Sequence, residues 1–150
     1  MLRADRFFRY NVSLILELGS ISKVQGRPSH FCQSFGNLIK NAVEAMYDRE
    51  KRSLRVVSSE KDGWITILIV DTGCGISGAD MARIFAPYFS TKPLVAKGDE
   101  PVGIGLGLTS AQKMIEAHGG AIEIESAPGP GTTVAVRLPV RRAVRNENST

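Results

Sequence analysis

Three groups of residues carry chemistry that packing alone does not require. An apolar run from Ile65 to Val70 leads straight into Asp71-Thr72-Gly73-Cys74-Gly75-Ile76. A carboxylate at the end of a buried strand is costly unless it finds donors, and an exocyclic amine on an aromatic base is a fitting one. Gly73 and Gly75 lack side chains, so a flat ring can approach the backbone there. The second group is Asn37 and Asn41, one helical turn apart on a stripe with Gln33, Glu44 and Asp48. Asparagine is a poor helix former, and two in mid-helix need a reason. A carboxamide oxygen suits Mg²⁺, which keeps most of its waters and also binds phosphates. The plainer reading of the stripe is a solvated helix face. The third group is Gly103-Ile104-Gly105-Leu106-Gly107-Leu108, ahead of a helical pattern. Free N–H groups and the dipole at a helix start attract phosphate, although a hinge would explain the glycines equally well.

Two rival motifs fail on this last segment. Leu108 stands where a dinucleotide fingerprint needs its third glycine, and no Lys-Ser or Lys-Thr follows to make a P-loop. Lys92 and Lys97 precede the glycines within reach of a terminal phosphate; Lys97 reads as an ordinary solvated lysine. For Asp71-Thr72-Gly73 an aspartic protease is an alternative, since two apposed carboxylates share a proton there. A single such triplet would require a homodimer, and long helices suit that fold badly.

Elements that can position these groups follow from periodicity. Val12, Leu14, Leu16 and Leu18 alternate within 11–18 and predict a strand. Pro28 and Ser29 introduce a helix with Phe31, Phe35, Leu38, Ile39, Ala42 and Met46 on one apolar face. Strands over 54–59 and 64–70 flank the turn Asp62-Gly63 and predict an antiparallel hairpin. A short helix is expected over 79–85, and residues 87–103, with Pro87, Pro93 and Pro101, form a functional or unstructured loop. A second long helix is predicted over 107–118, with Leu108, Ala111, Met114 and Ile115 inward and Gly119 ending it. Ile122 and Ile124, then Val134, Val136 and Leu138, alternate on two strands joined by a Pro/Gly turn at 127–131. The expected fold is α+β: a two-layer sandwich with a mixed, mostly antiparallel sheet covered on one face by about three helices.

Composition narrows the classes. The chain has 150 residues, 43% hydrophobic and 23% charged, which fits one globular domain with a real core. A charge of +4, from 19 basic against 15 acidic residues, suits anionic ligands without forming a nucleic-acid stripe. No segment is long enough to cross a bilayer, and the start reads as no signal peptide because Glu17 interrupts it. Cys32 and Cys74 have no metal spacing and read as free thiols of a reducing compartment, with Cys74 as a small filler. Arg141, Arg142 and Arg145 lie in a polar tail, 141–150, expected to lack fixed structure.

Taken in order, the motifs resemble the ATP-binding catalytic domain of sensor histidine kinases, most closely the nitrogen-regulation type. Residues 37–46 resemble the N box, 71–76 the first glycine box, 84–92 the F box and 103–108 the second glycine box; 131–139 resemble the last strand. The resemblance covers about 11–140, leaving 1–10 as a leader that could end a dimerisation helix. It implies the Bergerat fold shared with gyrase, Hsp90 and MutL, with ATP under a lid at about 86–104.

Residue by residue, it implies that Asn41 ligates Mg²⁺ and that Asp71 accepts from the adenine amine. Ala45, Gly73, Gly75 and Ile76 would line the base, and Thr132 would support Asp71 or a water. Phe85 and Phe89 would anchor the lid, with Thr91 beside them and Lys92 approaching the γ-phosphate. Gly103, Gly105, Leu106, Gly107 and Leu108 would offer N–H groups to the phosphates. Asn37 and Lys92 are the catalytic candidates it implies; hydrolytic relatives carry a glutamate where Asn37 stands, so fast ATP hydrolysis is not expected, because an amide cannot take a proton. The acceptor would be a histidine on a dimerisation domain outside this chain, with a response regulator downstream. His30 and His118 lack the phosphoacceptor context and read as structural. The fragment is expected to be monomeric and cytoplasmic, though a full-length kinase can be membrane-anchored. A non-catalytic nucleotide-binding regulatory module of the same fold is the alternative.

Overall fold

The computed structural model describes residues 11–90 and 107–140. In order, these form β1 (Ser13–Leu18), α1 (Pro28–Ala45), β2 (Ser53–Lys61), β3 (Trp64–Asp71), α2 (Gly78–Met81), α3 (Gly107–Ala117), β4 (Ala121–Ala127) and β5 (Gly131–Pro139). The leader, most of the lid and the tail named above lie outside the described residues.

The five strands form one sheet in the order β1-β2-β3-β5-β4. β1 runs parallel to β2, as a connection through a long helix allows. The other three pairings are antiparallel. Asp62 and Gly63 both have positive φ, 54° and 80°, which matches the twist of the two-residue hairpin read from the sequence. Register puts Leu54, Ile69, Val134 and Ile124 on one face, and that face carries α1 and α3. Leu38, Met46, Leu54, Ile65, Ile69, Ile115 and Val136 are fully buried, each such side chain contributing about 1.5–3 kcal/mol.

α1 starts with Pro28 in its first turn, where a missing N–H costs nothing. No glycine closes its far end. Arg52 does that work: Nε donates to the Met46 carbonyl at 3.0 Å and a terminal nitrogen to the Tyr47 carbonyl at 3.0 Å. The expected helix over 79–85 is shorter, only four residues, Gly78–Met81. Isolated turn bonds replace it: the N–H groups of Arg83, Ala86 and Phe89 each donate three residues back. Pro87 supplies no donor and Tyr88 turns to φ 63°, so no helix runs on past these turns.

β1 forms where the alternation predicts a strand, and its Leu14, Leu16 and Leu18 are 47%, 56% and 65% exposed. It is an edge strand that neither α1 nor α3 covers. Cys74 is exposed, which corrects its reading as a small filler. Among the described residues, no helix is long and apolar enough to cross a membrane.

Candidate functional site

The site is built at one end of the sheet. Asp71 closes β3, Thr132 stands opposite it on β5, and Ser126 stands opposite Thr132 on β4. The three share the helix-facing side of the sheet, continuing the rows Ile69–Val134–Ile124 with polar groups. Asp71 is only 4% exposed. Its Oδ1 accepts from the Gly73 N–H at 2.8 Å and the Thr132 N–H at 3.3 Å. Among the described residues nothing donates to Oδ2, which leaves an acceptor for a ligand. Burial raises the carboxyl above the ordinary range, and the two backbone donors oppose that shift. Among the described residues no second carboxylate contributes to that shift, and a mixed sheet carrying long helices is not an all-β protease fold; the aspartic-protease reading is set aside.

The loop after Asp71 is fixed by its backbone on every side. Cys74 N–H donates to the Ala45 carbonyl at 2.9 Å, and Gly129 N–H donates to the Cys74 carbonyl at 3.2 Å. Ile76 N–H donates to Ser126 Oγ at 2.8 Å. A Cβ on Gly73 would collide with Ala45, and one on Gly75 with the Ala127 carbonyl, where φ is 75°. Protein packing alone therefore requires glycine at both positions. Thr72 faces the other way, accepting from the Ser53 N–H and donating to the Lys51 carbonyl.

Across the site, α1 and α3 run along the same face. Asn37 and Asn41 are half-buried, not on a solvated face. The amide Nδ2 of Asn37 donates to the Gly107 carbonyl at 3.2 Å, at the first turn of α3. Asn37 therefore joins the asparagine helix to the end of the second glycine box. Gly107 and Leu108 open α3, and Leu108 packs on the core. Phe85 packs there too, and its carbonyl accepts from Thr109 Oγ1 at 3.1 Å. Arg83 lies over the Phe89 ring at 4.8 Å. The segment around Phe85 is thereby tied to α3. Thr91, Lys92, Lys97, Gly103, Gly105 and Leu106 lie outside the described residues.

His118 and His30 are indeed part of the packing. His118 Nε2 accepts from the Arg27 N–H at 3.2 Å and its Nδ1 lies 2.7 Å from the Met114 carbonyl. Three residues that matter were not singled out from the sequence: Ser126, Thr109 and Arg49, whose guanidinium donates to the Gly129 carbonyl. Ser126 had a readable signal, as it continues the inward alternation of Ile122 and Ile124 with a hydroxyl. Thr109 and Arg49 had none.

Residues 26–142 match the family model of histidine kinase-, DNA gyrase B- and HSP90-like ATPases. The chain belongs to this family. Within it, the chain is 36% identical over 128 residues to the sensor histidine kinase ZraS of Klebsiella oxytoca, covering 85% of this chain and 26% of that protein. It is 33% identical over 133 residues to sporulation kinase E of Bacillus subtilis, covering 88% of this chain and 17% of that protein. The chain thus spans about a quarter or less of these relatives. The catalytic domain of histidine kinase ThkA superposes with a TM-score of 0.71 at 26% identity, covering 87% of this chain and 82% of that one. ShkA in complex with AMPPNP superposes with a TM-score of 0.74 at 24% identity, covering 92% of this chain and 27% of that one, a likeness of fold. The mixed five-stranded sheet with helices on one face is the fold of histidine-kinase catalytic domains, as expected from the motifs.

Proposed function

We propose that the chain binds Mg·ATP and transfers the γ-phosphoryl to a histidine of a dimerisation domain outside it, as the catalytic domain of a sensor histidine kinase. The observation that carries the reading is Asp71: a buried carboxylate with one oxygen saturated by backbone donors and the other left for an adenine amine. Asn41, half-buried on α1, would hold a magnesium ion through its carboxamide oxygen. Among the described residues no cluster of His, Cys, Asp or Glu could hold a metal by itself, and Mg²⁺ needs few protein ligands when phosphates supply the rest. When bound, the ion offsets charge on the phosphates. Gly107 and Leu108, in the first turn of α3, would present N–H groups to those phosphates, and the motif resemblance assigns Gly103, Gly105, Leu106 and Lys92, which lie outside the described residues, to the same phosphates.

In the transfer, a neutral imidazole nitrogen attacks the γ-phosphorus. The bond from phosphorus to the β–γ bridging oxygen breaks, and ADP leaves with the electron pair. The imidazole is already a nucleophile near neutrality, so positioning and charge neutralisation supply most of the catalysis. Asn37 fits this division of labour, because its amide holds the Gly107 carbonyl and offers no base for water. A response regulator then receives the phosphoryl group, in the cytoplasm, and the domain itself is a monomer.

Calorimetric titration with ADP tests the site. Binding should require Mg²⁺ in the wild type, and Asn41→Ala should remove the magnesium dependence along with most of the affinity. An Asn41→Ala variant that binds Mg·ADP as the wild type does would sink the assignment.

A further inference from the structure

The hydroxyl of Ser126 meets three groups at once. Its oxygen accepts from the Ile76 N–H at 2.8 Å, lies 2.7 Å from Thr132 Oγ1, and lies 3.2 Å from the Gly131 carbonyl. Ser126, Thr132 and Asp71 form one row across β4, β5 and β3, on the side facing the helices. Among the described residues this row carries two hydroxyl protons, one on Ser126 and one on Thr132, and their placement follows from the acceptors. If Ser126 gives its proton to Thr132, the Thr132 proton has no acceptor among the described residues and the Gly131 carbonyl loses a donor. If Ser126 gives its proton to Gly131, Thr132 gives its own to Ser126, and all three bonds form. A buried hydroxyl without a partner is costly, so the second arrangement wins. Thr132 is 8% exposed, which makes that cost count.

We propose that Ser126 is a positioning residue that sets base specificity: by taking the Thr132 proton, it leaves Thr132 Oγ1 as an acceptor beside Asp71. Two acceptors in one row select a base edge that carries an amine and reject one that carries a carbonyl. The same hydroxyl holds Ile76 N–H and so fixes the loop that Asp71 begins. The inference rests on the adenine reading of the pocket given above. It names the nucleotide class, a 6-aminopurine over a 6-oxopurine, and the residue through which the preference is imposed.

The test is a cycle of two ligands and three proteins. Mg·ADP and Mg·IDP are titrated calorimetrically against the wild type, Ser126→Ala and Ser126→Thr. IDP carries a carbonyl where ADP carries the amine. In Ser126→Ala the Thr132 proton is released and can turn to the carbonyl, so the preference for ADP over IDP should shrink. The loss of one neutral hydrogen bond, about 1 kcal/mol, makes that shrinkage about fivefold. Ser126→Thr keeps the hydroxyl in a residue that suits a strand and should restore the preference. A merely structural role would weaken both ligands alike and leave their ratio unchanged; an unchanged ratio in Ser126→Ala overturns the proposal. Asp71→Asn separates the two levels. If the wild type binds no ADP, or Asp71→Asn binds it equally well, the adenine reading itself fails. If ADP binding depends on Asp71 while the ADP-to-IDP ratio ignores Ser126, only the role of Ser126 fails.

Discussion

Replacing Asp71 with Asn changes one atom's chemistry while keeping the shape, and its effect can be worked out in advance. The Asn Oδ1 can still accept from the N–H groups of Gly73 and Thr132, which now reach Asp71 Oδ1 at 2.8 and 3.3 Å. The loop should therefore keep its form. In place of the free Oδ2 stands an NH2 group, a donor facing the donor of the adenine amine. The loss is a hydrogen bond to a charged group, about 1.5–3 kcal/mol. Taking about 2 kcal/mol, the dissociation constant rises about thirtyfold. At ligand a hundredfold above the wild-type Kd, binding stabilises the wild type by about 2.7 kcal/mol and the variant by about 0.9 kcal/mol. For a domain of this size that is a rise in Tm of roughly 5–10 °C against roughly 2–3 °C. Thermal unfolding with and without Mg·ADP reads both.

The unliganded variant carries a second signature. Burial raises the Asp71 carboxyl in the folded state, so the folded chain holds that proton more tightly than the unfolded chain. Its contribution to stability is present at acid pH and is lost as pH rises from the ordinary aspartate range through the raised value. Asparagine has no such step. At neutral pH the unliganded Asp71→Asn protein should be at least as stable as the wild type, with its advantage fading on acidification. A variant that unfolds at lower temperature but keeps the full nucleotide shift would refute the reasoning on both counts.

Other expectations are narrower. Asn37→Asp sets a carboxylate against the Gly107 carbonyl in place of a donor at 3.2 Å; stability should fall by about 1–3 kcal/mol at neutral pH and recover below the aspartate range, where the acid can donate, as pH-dependent denaturant melts would show. Thr109→Val keeps the volume but removes the bond to the Phe85 carbonyl, and should lower Tm by roughly 2–4 °C for about 1 kcal/mol. Ile115→Ala opens the core under α3, where Ile115 has no exposure; urea unfolding should show a loss of about 2–5 kcal/mol. Gly131→Ala places a side chain against the Asp71 carbonyl at φ 112°, and circular dichroism melts should show a destabilised sheet end, unlike Gly78→Ala, which meets nothing.

The fold was largely legible because its signals were periodic. The α1 and α3 patterns named the buried Leu38, Ala42, Met46, Ala111 and Ile115. Asp62-Gly63 named its hairpin. Asp71 was legible as a buried strand-end carboxylate because an acid closing an apolar run stands out in any sequence. What stayed hidden was relational. The bond from Asn37 to Gly107 spans 70 positions, and no local pattern predicts which amide hydrogen the helix start will accept. The short α2 was overcalled because apolar spacing near Ile84 and Phe85 imitates a helix, while the turn bonds and Tyr88 actually shape the segment. The exposure of β1 was not legible for a simple reason: alternation reports that one side of a strand is apolar, not that anything covers it.

The central claim is phosphoryl transfer to histidine, and one measurement meets it directly. The chain is incubated with Mg·ATP labelled at the γ-phosphate and with the dimerisation domain of its kinase supplied as a separate protein. The account predicts label on that domain as an acid-labile, base-stable phosphohistidine. The label should be lost with Asn41→Ala and Asp71→Asn, with little phosphate released in the absence of the acceptor. Tight nucleotide binding with no labelled histidine would contradict the account and leave a nucleotide-binding module without transfer activity.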